Sequence, residues 1–395
     1  MSKFISRFKQ YLALKISKFI NFNKRFINFN KLFNKFNKIH YKETLILLLN
    51  KVIGQAKTLF NRITKKKSTE VIPDGVLGVS INNGIVALAH VVVNSLQDIE
   101  VKSFGLFDIN LTNVEGGNKE PKSAQSVITQ YIKDQHLERI VSCYVLSPSE
   151  YVLSLIESVE NDNKAKEKAI LWGVKDYINY SIDDAILESF EIPAARAQDN
   201  VKLAYAVAMR AKLSEEIGNL INSSGAHLKY IDINELCLRN IMSLYSGMES
   251  GCLLLKLAEG NSSILLIKDN SLFISRNTKL DIKQLDQFDP RNNISSEKFN
   301  IAENLVLELQ RSLDYSNSMF RDLHFNTIKI LPHNINLDLF IPWAEEQLGL
   351  PINKVDLTEK IKFAQEIKQS EQAGCLLAIG AALRNIGNVI NVATN

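Results

Sequence analysis

From Val76 onward the chain alternates short apolar runs with turn residues, a pattern that predicts strands joined by tight corners. VLGVSI (76–81), Asn82-Asn83-Gly84 and IVALAHVVV (85–93) read as strand, turn and strand. The Asn-Asn-Gly corner favours a hairpin because these residues accept positive φ at low cost. A second such unit opens at Gly251, with CLLLKLA (252–258), Glu259-Gly260-Asn261 and SSILLIKD (262–269). SLFISR (271–276) follows the Asp269-Asn270 turn as a third strand. The two units superimpose without a gap at an offset of 176 residues, so that Gly75 falls on Gly251, Gly84 on Gly260 and Ser80 on Lys256. Helix 122–134 and strand 139–146 follow the first hairpin; helix 297–316, strand 327–331 and helix 336–348 follow the second. The expectation is two mixed α/β halves, each opened by a glycine-tipped hairpin.

Between them, roughly 144–208 reads as an inserted subdomain: CYVLSP, KAKEKAILWGVKDYI, DAILESFEI and NVKLAYAVAM predict strand, helix, strand and strand. Trp172, Tyr177 and Tyr180 lie at near-helical spacing, which predicts packing in a core. The expected domains are a first lobe over 71–225, including the insert, and a second over 226–395. KKKSTEVIPDG (65–75) reads as the linker before them, ending in a Pro73-Asp74-Gly75 turn.

Residues 1–70 follow another rule. KFINFNK (18–24), RFINFNK (25–31) and LFNKFNK (32–38) form a seven-residue repeat. On a helix, Phe19, Phe22, Phe26, Phe29, Phe33 and Phe36 would form one aromatic stripe among Lys and Asn. Leu45, Leu48, Leu49, Val52, Ile53 and Phe60 continue with a second apolar side. This makeup suits a helix lying in a membrane interface. It also suits a disordered tail, since Asn is a poor helix former. Basic and aromatic residues together would fit single-stranded nucleic acid as well. The helical spacing of the stripe, with no nucleic-acid fold after it, argues for a membrane surface and no nucleic acid. The opening stretch is broken by Lys every few residues and has no apolar signal core, so neither a signal peptide nor a span of about 20 apolar residues is expected.

The net charge of +4 conceals this division: residues 1–70 hold 17 Lys/Arg against Glu43 and Glu70, and the rest hold 30 basic against 41 acidic residues. An asymmetry of this size points to a basic arm seeking an anionic surface. The four cysteines are scattered, and neither a CxxC pair nor a zinc-type His/Cys cluster occurs, so a disulfide framework and a structural metal are not expected. GxxxxGK[ST], GxSxG, HExxH and a strand-following GxGxxG are all absent.

Two halves opened by turn-tipped hairpins are the layout of the actin, sugar-kinase and Hsp70 superfamily, in which amides at the two tips cradle phosphates. Over about 75–390 the sequence resembles the PilM family of actin-like pilus assembly proteins, and within it the MshI proteins. AILWGVKDYINYSIDDAILESFEIP (169–193) is similar to their Trp-containing segment, LVLELQRSLDYS (305–316) to their long second-lobe helix, and GCLLAIGAALRN (374–385) to their adenosine-side motif, a small-residue strip opening a helix. The resemblance implies a duplicated RNase H-like, actin-like fold with an inserted subdomain. It also implies a PilN- or MshJ-type inner-membrane partner, whose N-terminal peptide is gripped between insert and first lobe. The protein would then be peripheral at the cytoplasmic face of the inner membrane, as part of a type IV, MSHA-like pilus platform.

Active superfamily members carry an Asp in each phosphate hairpin, and here those positions are similar to Ser80 and Lys256. A hydroxyl does not replace a carboxylate in a Mg²⁺ shell, and an ammonium there would meet a phosphate only as a point charge. Hydrolysis is therefore not expected, no catalytic residue is assigned and no cofactor is required. ATP binding stays open through Asn82, Asn83, Gly84, Lys256, Glu259, Gly260, Asn261, Ser262 and Gly380. The rivals are an active ATPase or sugar kinase on the same fold, and a GspL-type secretion protein with its own membrane helix.

Overall fold

The computed structural model describes residues 73–384 except 96–97, 111–121, 159–162, 197, 200, 246–250, 261, 287, 292–296 and 321–322, with only the backbone of 163–166 and 195. The phenylalanine stripe (Phe19, Phe22, Phe26, Phe29, Phe33, Phe36) and Asn261 lie outside the described residues.

The first hairpin is β1 (Val76–Asn82) and β2 (Ile85–Ser95), antiparallel and extended by β3 (Asp98–Asp108). Helix α1 (Ala124–Asp134), capped by the Ser123 hydroxyl on the Ser126 amide, leads to β4 (Val141–Val145), parallel to β1. The insert follows as β5 (Tyr151–Glu157), α2 (Asn163–Val174), β6 (Ala185–Ala195) and β7 (Lys202–Arg210), with strand order β5-β7-β6. Helix α3 (Ala211–Ser223) then returns the chain to β8 (His227–Asp232), parallel to β4, and α4 (Asn234–Met242) crosses toward the second unit.

That unit repeats the plan. Strands β9 (Cys252–Lys256), β10 (Ser262–Lys268) and β11 (Ser271–Thr278) form the meander. Helix α5 (Glu297–Met319), β12 (Ile328–Ile330), α6 (Phe340–Leu348) and β13 (Ile352–Lys354) complete it. The sheet orders are β14-β3-β2-β1-β4-β8 and β11-β10-β9-β12-β13, the same arrangement once the short β14 (Lys362–Phe363) is set aside. Gly75, Gly84, Gly251 and Gly260 all sit at positive φ (93°, 76°, 73° and 78°), so the 176-residue offset is a duplication in three dimensions.

The second-lobe boundary of 226–395 is corrected: β8, β14 and α7 (Gln369–Ala382) belong with the first sheet. CYVLSP is likewise β4 of that sheet, and the insert's own first strand is β5. GCLLAIGAALR (374–384), the described part of the small-residue motif, lies in the second half of α7 and just past its end, where it forms a packing seam. A Cβ on Gly78 would stand 1.8 Å from the Ala378 carbonyl oxygen, and one on Gly380 would stand 2.3 Å from that of Cys237. Small residues therefore let α7 lie directly on β1 and α4, and Asn240 Nδ2 donates to the Gly380 carbonyl (3.0 Å) inside the seam.

The insert obeys the two-residue period of a strand. Ala204, Ala206 and Ala208 pack under Ile170 and Val174 of α2, whereas Leu203, Tyr205, Val207 and Met209 pack toward the two lobes. The expected core packing is overturned for two of the three aromatic residues. Trp172 is 69% exposed, because Ile170 and Val174 already fill the helix's inner face. Tyr177, in the turn past the helix, is 70% exposed, while Tyr180 is half-buried.

Candidate functional site

The two hairpin tips differ in what surrounds them. Asn82 and Asn83 are exposed. The Asn83 carbonyl accepts from Asn110 Nδ2 (3.2 Å) and the Gly84 carbonyl from the Ile109 amide (2.8 Å), with the Asn110 side chain lying over the Gly84 α-carbon. At the second tip Glu259 pairs with Lys283 (2.8 Å), and Gly260 faces open space. Ser262 is fully buried; its hydroxyl donates to the Leu280 carbonyl (2.9 Å) and accepts from the Ala258 amide (3.3 Å), which braces the turn. Gly380 is sealed beneath α4. Among the described residues no hydrogen bond or ion pair joins the two tips.

Ser80 is buried in β1, and Lys256 ends β9 opposite Ser263. Loss of solvation lowers the Lys256 pKa, and Glu235 partly opposes it. Glu235 stands in the first turn of α4, 5% exposed, and accepts from the Tyr151 hydroxyl (2.6 Å) and Ser275 Oγ (3.3 Å). Burial raises its pKa, and the Tyr151 hydrogen bond works against the rise. The Tyr205 hydroxyl donates to the Phe273 carbonyl (3.3 Å) and accepts from the Ser275 amide (3.0 Å). Insert, α4 and second lobe thus meet at one polar junction, beside a cavity of about 420 Å³ lined by Tyr151, Tyr205, Glu235, Arg276 and Tyr315. Among the described residues no three His, Cys, Asp or Glu side chains converge on a cation position. Neither Ser80 in β1 nor Lys256 in β9 supplies the carboxylate that a Mg²⁺ shell takes, and Glu235 is tied up by Tyr151.

A larger cleft, about 620 Å³, lies on the same face of the insert. One wall is β6, through Ile186, Glu188 and Phe190; the other is β8, through Leu228 to Asp232. Both are edge strands of their sheets. Arg384 also lines it, with Nη1 2.6 Å from Asp232 and its guanidinium 5.0 Å over the Tyr230 ring. Burial raises the Asp232 pKa against the opposing Arg384 charge. Phe190 and Tyr205, 5.4 Å between ring centres, stand between the cleft and the junction cavity.

The sequence reading missed Tyr151, Asp232, Glu235 and Arg384. The segment YIDINELCL (230–238), with two acids at a strand-to-helix corner among apolar residues, carried a signal for the middle two.

No protein-family profile and no curated protein sequence matches this chain. Solved structures do match its fold. A protein of the PilM–PilN type IV pilus biogenesis complex is similar at TM-score 0.57 and 17% identity, over 79% of this chain and 98% of that one. A Bacteroides thetaiotaomicron protein of actin-like ATPase fold and unknown function (TM-score 0.42, 8% identity, 74% and 93% covered) is more distant. So is the cytoplasmic domain of EpsL, an inner-membrane component of the Vibrio cholerae type II secretion system (TM-score 0.41, 11% identity, 78% and 94% covered). The chain has the actin-like ATPase fold.

Proposed function

We propose that this protein is a scaffold of a type IV, MSHA-like pilus assembly platform, of the MshI kind, which holds the cytoplasmic tail of a PilN-type inner-membrane protein and does not hydrolyse ATP. The observation that carries this reading is the cleft between two edge strands. β6 and β8 offer outward backbone donors and acceptors, and Ile186, Phe190 and Leu228 offer apolar seats, the chemistry that takes up an extended peptide by strand addition. The similarity to the protein solved with PilN supports the class of partner. Ser80 and Lys256, at the hairpin positions where the resemblance leads one to expect carboxylates, support an inert nucleotide side. Among the described residues no helix is long and apolar enough to cross a membrane.

The test is calorimetric titration of the chain with a synthetic peptide of the cytoplasmic tail of a PilN-type inner-membrane protein. Saturable binding without nucleotide is expected, weakened about tenfold or more by Ile186→Lys or Leu228→Lys, each of which places a charge in an apolar seat. A strict ATP requirement, or phosphate release clearly above background, would overturn the proposal.

A further inference from the structure

The outer face of the insert is built unlike the rest of the described surface. Along α2, Ile170 and Val174 point into the insert's own core, while Lys168, Trp172 and Lys175 share the outward face and Tyr177 follows in the turn beyond. Trp172 and Tyr177 are the two most exposed large apolar side chains among the described residues. Tryptophan is seldom left so open in a soluble fold, and an open aromatic pair marks a surface that meets something. The other tryptophan shows the contrast: Trp343 is packed against Phe288, Phe299 and Phe340 at 5.1–6.0 Å.

Charge selects among the candidates for that something. Lys175 Nζ stands 5.1 Å over the Trp172 ring, and residues 163–180 carry four lysines against Glu167 and Asp176. The exposed apolar surface here is indole and phenol, whereas Ala169, Leu171 and Ile178 are half-buried. Aromatic rings with a polar edge, bordered by ammonium groups, match the headgroup zone of a bilayer, where rings sit among glycerol and carbonyl groups and lysines meet lipid phosphates. Protein hot spots also use Trp and Tyr, but they draw on aliphatic neighbours and shed lysine from their centres. The same chain carries a second segment of this chemistry, the lysine- and phenylalanine-rich residues 1–70.

We infer that the outer face of α2, centred on Trp172 and Tyr177, is a membrane-contact surface that rests on anionic lipid. The inference builds on the proposed function, in that a groove holding the tail of a membrane-anchored partner must lie close to the bilayer. It concerns the opposite face of the same subdomain: the groove uses the side of β7 bearing Val207 and Met209, and α2 covers the side bearing Ala204, Ala206 and Ala208.

Trp172 supplies the probe. The full chain is mixed with vesicles of phosphatidylcholine alone, or with about one-third phosphatidylglycerol. The Trp172 signal is the emission of wild type minus that of Trp172→Phe. A blue shift and quenching by brominated acyl chains are expected with phosphatidylglycerol and not without it. Trp172→Ala combined with Tyr177→Ala should weaken vesicle partitioning about tenfold while circular dichroism and tail-peptide affinity stay unchanged. Sedimentation with anionic vesicles while Trp172 keeps its water-exposed emission would overturn the inference, because other residues would then carry the binding. An equal shift on uncharged vesicles would overturn its charge selectivity. The emission shift and the vesicle partitioning do not depend on the peptide, so failure in them leaves the groove reading standing, and loss of peptide binding in groove variants leaves this one standing.

Discussion

The two lobes share a register and differ in what each places on it. Gly75, Gly84, Gly251 and Gly260 hold matched positive-φ corners, yet the positions between them have diverged. Gly78 in the first lobe stands where the second has Leu254, His90 where it has Leu266, and Ser80 where it has Lys256. Corners are conserved between the halves because only a few residues tolerate their backbone geometry. Strand interiors answer to whatever packs on them. The C-terminal helix α7 lies on β1, so the first lobe needs a residue without a side chain there, whereas the second fills the same place with a fully buried leucine.

This contrast breaks most sharply at Gly78. A methyl group there would stand 1.8 Å from a backbone oxygen, which cannot move aside as a side chain could. Gly78→Ala should cost about 3 kcal/mol or more in chemical denaturation, near the upper end for overpacking. A loss below about 1 kcal/mol would show that α7 slides freely on β1 and that the seam is not what fixes the lobe.

The next largest effect is expected at the Ser80/Lys256 difference. Lys256→Ser makes the second lobe like the first but leaves Glu235 buried without its neighbouring cation. About 2 kcal/mol of stability should be lost, less than for a fully buried touching pair because Lys256 is only half-buried. Adding Glu235→Gln should return part of that loss. Simple additivity in this double-mutant cycle would mean that the two groups do not interact.

Gly84 and Gly260 allow a finer comparison. Both sit at φ near 77°, so alanine at either pays the same left-handed cost of about 1 kcal/mol. At Gly260 nothing lies within 4 Å of the added carbon, whereas at Gly84 the Asn110 side chain does and must move. Gly84→Ala should therefore be the more destabilising, and Gly84→Ala with Asn110→Ala should match Gly260→Ala. Equal losses for the two single variants would show that Asn110 does not hold the first tip.

These contrasts also measure how much was legible beforehand. The duplication could be read because its signal is local: glycine and asparagine corners at a constant offset, between apolar runs. The insert could be read as an α/β unit for the same reason. Tyr151–Glu157 was not recognised as a strand, since YVLSLIE follows a Ser-Pro-Ser turn and suits a helix almost as well. The return of α7 to the first sheet is a matter of topology that no local pattern reports. Trp172 was assigned to a core because spacing gives the faces of a helix but not which face is inward. The small alanines of β7 settle that question, and they are read only once the strand is paired with α2. The polar junction was hidden for a related reason: Tyr151, Glu235 and Ser275 come together from three separate segments.

The smallest effect concerns acid. His90 lies in β2 at the place of Leu266, 9% exposed, with Nε2 2.7 Å from the Asp74 carbonyl. Loss of solvation lowers its pKa below the ordinary histidine value, with Lys102 acting in the same direction. The folded state therefore takes up this proton later than the unfolded chain does. The stabilisation is present above the ordinary histidine pKa of about 6.5, and it drains away as pH falls below that value toward the depressed folded one. His333, buried in the second unit, has its pKa lowered by the same cause and adds a contribution of the same sign. Between about pH 7.5 and 5.5 the buried carboxyls Glu235 and Asp232, whose pKa values are raised, act in the opposite sense and are common to both proteins, so the contrast is the readout. On acidification the melting temperature of His90→Leu, the second lobe's own choice, should shift less in the destabilising direction than that of wild type. An identical slope for the two proteins would mean that His90 is as readily protonated folded as unfolded, and that the first lobe's buried imidazole is no more acid-sensitive than the leucine that replaces it in its twin.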